Sequence, residues 1–319
     1  MSIGANIKKR RLELNISQQD LANAMGYKTR STIAKIESGE NDVTQKKLEK
    51  LATILDTTVE KLIGISNIAN NFHDSIVSNS FDSSLSRNKT VAIILAGGKS
   101  IRNHKNIPNQ FIDILGKPVI VYCLEAYQKH PAIDDIYVVC LKGWENIVTA
   151  YAEQYGISKL RGLIPAATSG ILSVENGVNF VESNYSDNDI IIFQESTRPM
   201  VNVEMISKLL QTCYVNGRAN ICQSMKNYVQ FTYVNGKASY IDRDHIVDLQ
   251  SPESYRFSVI KEVFSEAKKR QHPLTESCCA MLMHNLGFDI NFIEGSINNI
   301  KIVRDDDIAI FESLLKSKI

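Results

Sequence analysis

Along residues 4–64 apolar positions recur every three to four residues within short blocks, "IKKRRLELN", "SQQDLANAM", "STIAKIESG", "TQKKLEKLATIL" and "TVEKLIG". That is the spacing of one buried helix face, and it predicts five short helices. Ser17 stands before "QQD" with Asp20 three residues on, a start signal, while Gly26 and Gly39 fall where helices should stop. Leu21, Ala22, Ile33 and Ile36 would pack the second helix on the third. From 65 to 89 the chain turns to Ser and Asn with scattered apolar residues. This stretch reads as a linker, with a short amphipathic helix over 68–77 as the alternative. After Thr90 the period changes. Apolar runs "VAIILAGG", "DIYVVCL", "DIIIF" and "ANICQSM" alternate with helical segments such as "PVIVYCLEAYQKH" and "VEMISKLLQTCYV", which predicts a mainly parallel sheet covered by helices. Within an arm over about 222–250, "QFTYVNGKASYID" carries Asn235-Gly236 between β-rich flanks, a type I′ hairpin signal. The predicted organisation is a helical domain at 1–64, a linker at 65–89 and an α/β domain at 90–319.

Composition changes this picture little. The 319 residues carry 36 Lys/Arg against 35 Asp/Glu, but residues 1–64 hold eleven against eight, a mild sign of a polyanion partner. The six cysteines form no CxxC pair and no Cys/His metal spacing, and most lie in apolar runs. They read as reduced core residues. With no long apolar span, lipidation signal or amino-terminal h-region, the expected location is the cytoplasm, without a membrane partner.

"SQQDLANAMGYKTRSTIAKIESGEN" resembles the Cro/C1-type (XRE) helix-turn-helix family across 4–64. The resemblance implies a reader of double-stranded DNA whose second motif helix enters the major groove. Arg30, Ser31, Thr32 and Lys35 would face base edges, and Gln18 and Asn41 the phosphates. "YKTR" makes the turn one residue longer than the commonest spacing in the family. A single copy neutralises few phosphates, so a homodimer is expected.

"LAGGKSIR" follows the first strand of the α/β domain. Consecutive glycines let a backbone approach phosphate, and N–H groups at a helix start favour anions. The loop lacks the ending of a P-loop and the GxGxxG spacing of a dinucleotide fold. It is followed in order by "PNQF", "GKPVIVYCLEAY", "ESTRP", "DR", "SPESY", "TESCC" and "GSINNIKIVRDDDI". This ordered set resembles the methylerythritol-phosphate and ribitol-phosphate cytidylyltransferase family over 90–319, nearer its ribitol-phosphate branch.

The resemblance implies a Rossmann-like nucleotidyltransferase domain with a β-hairpin dimerisation arm. It further implies transfer of CMP from CTP to a polyol phosphate, releasing pyrophosphate, with Mg²⁺ on the triphosphate. Arg102 and Lys301 match catalytic positions at the α-phosphate. Ala96, Gly97, Gly98, Lys99, Ser100, Thr168 and Ser173 fall at nucleotide-binding positions. Glu195, Arg198, Arg243, Ser251 and Thr275 fall at substrate-binding positions, some reached across a dimer interface. The aspartates at 305–307 read as a charged helix start, and no protein metal site is expected. The chain departs from the family pattern at several points. Asn109 stands for the lysine of "PKQ", Ala166-Ala167-Thr168 for a Gly-Gly-acidic turn, and Glu195 for a shorter acid. A missing cation beside the triphosphate would cost on the order of hundreds-fold in rate. Two functions stay open: a transferase with a DNA-binding appendage, or a catalytically weak or inactive sensor that binds CTP or a CDP-polyol and controls a transcriptional regulator. A purely dimerising domain is the third reading.

Overall fold

The computed structural model describes residues 3–27, 29–41, 43, 45–57, 59, 62, 88–99 and 107–317. The chain divides into two units, Met1–Ser86 and Arg87–Ile319. The first contains α1 (Ile3–Glu13), α2 (Gln18–Met25), α3 (Ser31–Ser38) and α4 (Gln45–Ile54). The fifth predicted helix and the predicted linker lie outside the described residues, apart from Val59, Leu62, Asn88 and Lys89. Ser17 starts α2 as expected, its Oγ accepting from Asp20 N at 3.1 Å. Gly26 and Gly39 end α2 and α3 at φ of +85° and +83°, values favoured by glycine. Leu21, Ala22, Ile33 and Ile36 are buried together with Ile7, Leu51 and Leu55.

Beneath that apolar core sits an ion pair. Arg11 Nε and Nη2 donate to Glu37 Oε1 and Oε2 at 2.6 and 3.1 Å, and Arg11 Nη1 donates to Ile16 O at 2.8 Å. A buried carboxylate is tolerated only when its oxygens are satisfied. Gln18 Nε2 completes the set on Glu37 Oε2 at 2.8 Å.

The second unit is built on β1 (Thr90–Ala96), β4 (Asp135–Cys140), β5 (Leu160–Pro165), β6 (Ile190–Glu195), β7 (Arg218–Ser224), β10 (Val247–Arg256) and β11 (Phe292–Glu294). These lie in the order β11-β7-β10-β6-β1-β4-β5. Only β10 among them runs antiparallel to its neighbours. Strand alternation divides the core into two layers. Ala92 and Ile94 of β1 pack with α5 (Val119–Lys129), α6 (Glu145–Gln154) and α8 (Val203–Asn216). Val91 and Ile93 point the other way, to α7 (Gly170–Val181), α9 (Phe257–Lys269) and α10 (Cys279–Leu286). Residues with period two therefore serve opposite faces of one sheet. This is the helix-covered, mainly parallel architecture that the periodicity predicts. All six cysteines are free and five are buried. Among the described residues no helix is long and apolar enough to cross a membrane.

A short hairpin of β2 (Asp113–Ile114) and β3 (Lys117–Pro118) precedes α5, and α11 (Asp305–Lys316) closes the chain. Phe311 and Ile308 of α11 pack on Ile112, Ile114, Met200 and Ile302, which returns the carboxy-terminal segment to the centre of the unit. The predicted arm is present as β8 (Gln230–Val234) and β9 (Lys237–Ile241). Its turn has φ of +50° at Asn235 and +78° at Gly236, the two positive values a type I′ turn demands. Register puts Phe231 opposite Tyr240 and Tyr233 opposite Ala238, so one face of the ribbon carries three exposed aromatics.

Candidate active site and candidate nucleic-acid interface

Neighbouring strands β1 and β6 send their crossovers in opposite directions, β1 toward β4 and β6 toward β7. A crevice forms beyond their carboxyl ends at such a point. On one side is the loop leaving β1. A Cβ on Gly97 would stand 2.4 Å from Ala166 Cβ and 3.9 Å from Ser173 Oγ, so only glycine fits against the segment that follows β5. Ser173 holds that segment, its Oγ accepting from Ala167 N at 3.0 Å. Ala96 is buried at the strand end, while Gly98, Lys99 and Thr168 are exposed. Ser100 and Arg102 lie outside the described residues.

On the other side, Glu195 ends β6. Its Oε2 accepts from Arg198 Nε at 2.9 Å, and its Oε1 pairs with Lys301 Nζ. Burial by itself would raise the Glu195 carboxyl, but Lys301 and then Arg198 overcome this and hold it below the ordinary range. Arg198 Nη1 also donates to Asn299 O at 2.8 Å. Folding thus joins Glu195, Arg198 and Lys301, although Lys301 is 106 residues from Glu195 in sequence.

The other expected substrate residues have different surroundings. Ser251 is turned inward and accepts from Glu195 N at 3.1 Å and Gln194 Nε2 at 3.2 Å; it ties the end of β6 to β10. Thr275 is exposed beside buried Glu276. Glu276 accepts from Asn285 Nδ2 at 2.9 Å and contacts His272 Nε2 at 2.6 Å. Its burial acts to raise the carboxyl, and these partners lower it below its usual value. A Cβ on Gly170 would meet Ser277 O at 3.2 Å, so the loop bearing Thr275 abuts the start of α7. Arg243 is exposed in the short turn Arg243–His245 between β9 and β10, apart from the Glu195 cluster.

Asn109 differs from expectation. Instead of facing an open phosphate site, it is 2% exposed, and its Nδ2 donates to Ile302 O at 3.1 Å and Val303 O at 3.2 Å. Next to it, buried Gln110 donates through Nε2 to Ala96 O at 2.9 Å and Gly98 O at 2.8 Å. Sequence reasoning missed Gln110, for which "PNQF" was the available signal. It also missed Asn299, whose Nδ2 donates to Gln250 Oε1 at 3.1 Å and Ser251 O at 2.8 Å. A further omission was Glu253, whose carboxylate accepts from Tyr255 Oη at 2.8 Å and from Cys279 N and Ala280 N at 3.3 and 3.2 Å. Burial raises the Glu253 carboxyl against these hydrogen bonds. Among the described residues no group of three His, Cys, Asp or Glu could hold a metal ion. The aspartates of 305–307 open α11, and Asp307 Oδ2 accepts from Val303 N and Arg304 N at 2.8 Å each. Trp144 stacks on Phe111 with ring centroids 4.2 Å apart.

In the first unit α3 begins immediately after Arg30. Arg30, Ser31 and Lys35 are exposed, Thr32 is half-buried, and exposed Asn41 donates its backbone N–H to Lys35 O at 3.1 Å. Gln18, expected at phosphate, donates inward to Glu37.

These features define two classes in one chain: a helix-turn-helix unit, and an α/β nucleotidyltransferase unit with its crevice at the carboxyl ends of the central strands. Residues 90–317 match the family of 2-C-methyl-D-erythritol 4-phosphate cytidylyltransferases, and the chain belongs to that family. Residues 7–62 match a helix-turn-helix family. A ribitol-5-phosphate cytidylyltransferase of Lacticaseibacillus paracasei is 30% identical over 230 residues, covering 71% of this chain and 98% of the relative. Another ribitol-5-phosphate cytidylyltransferase, from Vibrio parahaemolyticus, is 27% identical over 230 residues, 72% of this chain and 96% of the relative. Among solved structures, the 4-diphosphocytidyl-2C-methyl-D-erythritol synthase of Anaerococcus prevotii superposes with a TM-score of 0.61 at 20% identity. It covers 72% of this chain and 96% of that one, and the likeness is one of fold.

Proposed function

We propose that the chain is a cytoplasmic, homodimeric DNA-binding protein whose larger unit transfers CMP from CTP to a polyol phosphate, with ribitol phosphate as the first candidate acceptor. The observation that carries this reading is the meeting of Glu195, Arg198 and Lys301 across a crevice from the Gly97 loop. In the reaction an oxygen of the acceptor phosphate attacks the α-phosphorus of CTP as the bond to pyrophosphate breaks. Two anions must approach, and transition-state charge must be offset by fixed cations. Lys301 leaves Glu195 for the α-phosphate, Arg198 steers the acceptor, and the Gly97–Lys99 backbone receives phosphate oxygens. Arg102 is the second proposed cation, and Thr168 and Ser173 line the cytidine side. Ser251 supports the site by holding Glu195, while Thr275 and Arg243 serve the acceptor. Mg²⁺ would be carried by the triphosphate itself, since both oxygens of Glu195 are already engaged by Lys301 and Arg198. When bound, Mg²⁺ would neutralise the triphosphate.

Dimerisation is supported by the hairpin, since an isolated two-stranded ribbon is marginal in water and this one exposes Phe231, Tyr233 and Tyr240 at 58%, 75% and 58%. A dimer also supplies two DNA-reading helices, with Arg30, Ser31, Thr32 and Lys35 directed to base edges and Asn41 to phosphate. The alternative, a ligand-gated regulator without turnover, draws on one specific observation: Glu195 already neutralises Lys301, and Asn109 adds no charge nearby. Incubation of the full chain with CTP, Mg²⁺ and a panel of polyol phosphates that includes ribitol 5-phosphate decides between them. Pyrophosphate release at rates ordinary for such transferases supports the enzyme, whereas CTP binding without release establishes the regulator. For the helical unit, Arg30→Ala should weaken specific operator binding by about 1–3 kcal/mol and non-specific binding far less. Equal losses in a competition assay would contradict base reading.

A further inference from the structure

The two consecutive amides of Asn109 and Gln110 face different parts of the same site. Asn109 Nδ2 holds the carbonyls of Ile302 and Val303, the residues that follow Lys301. Gln110 Nε2 holds the carbonyls of Ala96 and Gly98, on either side of Gly97. Both residues sit in the single turn Asn109–Phe111 and are 2% and 1% exposed. That turn is clamped by the Phe111–Trp144 stack and by the core around Ile112.

From this geometry we infer that Asn109 and Gln110 act as a paired staple that sets the phosphate-receiving loop and the Lys301 segment at a fixed separation. In a trans peptide the N–H points away from the preceding carbonyl. Fastening the oxygens of Ala96 and Gly98 inward therefore turns the N–H groups of Gly97 and Lys99 outward, and neither donates to another described residue. Backbone N–H groups left open on a loop can receive an anion. Asn109 does the same service for Lys301. Ile302 is further tied by its N–H to Thr197 O at 2.8 Å, and Thr197 lies between Glu195 and Arg198. Cation and cradle are thus referred to one rigid turn, and preorganised positioning of this kind is worth most where charge must be met without rearrangement. Asn109 is accordingly a positioning residue.

The inference rests on the nucleotide reading proposed above for its functional part, and on the fold alone for its structural part. The full chain is compared with Gln110→Met and Asn109→Leu, which keep approximate shape but remove the donors. Calorimetry with CTP and with cytidine is the first measurement. CTP should weaken by about tenfold or more in each variant and cytidine by less than about twofold. Equal weakening of both ligands, or no weakening of either, overturns the staple as a phosphate-positioning device. Amide hydrogen exchange of the unliganded protein is the second measurement, and it does not depend on nucleotide binding. Exchange should quicken at Ile302–Arg304 in Asn109→Leu and at the Leu141 amide, which donates to Ala96 O, in Gln110→Met. Unchanged exchange at both places overturns the staple itself. If the parent protein binds no CTP, the proposed function fails, while the exchange result still judges the staple.

Discussion

Each unit of the chain holds a glutamate between an arginine and one further donor, yet the two arrangements do different work. Glu37 lies with Arg11 at side-chain exposures of 3% and 7% and takes Gln18 as its third partner. Glu195 lies between Arg198 and Lys301 with exposures of 31%, 11% and 44%. In the first case desolvation has already been spent in folding, and removal of one member would strand a buried charge. In the second, Lys301 is open to water at 44% while Arg198 is not, so it is the lysine bond that is weak on balance and that an incoming anion can take over. Burial, rather than residue type, separates a pair that holds a fold together from one that can exchange partners.

The strongest challenge to that contrast is Glu37→Ala, expected to cost about 3–5 kcal/mol by leaving Arg11 buried and unpaired. Denaturant unfolding of the helical unit within the full chain measures it, and a loss under about 1 kcal/mol would mean that water relieves the site. Lys301→Ala should leave the fold intact but reduce pyrophosphate release by on the order of a hundredfold or more. A rate near that of the parent would return Lys301 to the status of a surface charge. His130 supplies a third kind of buried group, one that pairs with no acidic side chain among the described residues. It is 2% exposed and its ring meets Ser207 Oγ at 3.0 Å and Ala132 N at 3.2 Å. Burial, then Lys159, lowers its pKa to about 4. The unfolded chain therefore binds the proton first, so stability present above about pH 6.5 is lost as pH falls toward 4. The loss amounts to about 3 kcal/mol. Acid titration of unfolding should show this slope in the parent and not in His130→Gln. The smallest effect is that of Glu195→Gln on stability, within about 1 kcal/mol at neutral pH. Since the Glu195 pKa is depressed, whatever this pair contributes is present above the unfolded carboxylate value and fades as pH falls through the folded one. A larger loss, measured by the same unfolding assay, would place Glu195 with Glu37.

The helices of the first unit, four of the seven strands of the main sheet and the hairpin were readable because their signals are short-ranged, whereas β5, β10 and β11 were not read as strands. Ser17 and Asp20 are three residues apart, Asn235 and Gly236 are adjacent, and the two faces of β1 follow from alternation in seven residues. Only the family resemblance pointed to Glu195 and Arg198 as substrate residues and to Lys301 as a catalytic one; their meeting belongs to the fold. The direction in which polar side chains turn was far less accessible. Gln18 and Ser251 look like surface ligands in the sequence, whereas one closes a buried network and the other binds the end of a neighbouring strand.

Asn109 makes the distinction most plainly. Read alone, it is a lysine position that has lost a charge. In the folded chain its amide reaches carbonyls 193 and 194 residues away, and Gln110 beside it reaches back 14 and 12 residues to the Gly97 loop. Periodicity and turn chemistry are properties of a few consecutive residues, so the helices, strands and hairpin were already determined in the primary structure. Hydrogen-bond partnership depends on which distant backbone groups folding buries beside a side chain. That choice was made by the tertiary structure alone.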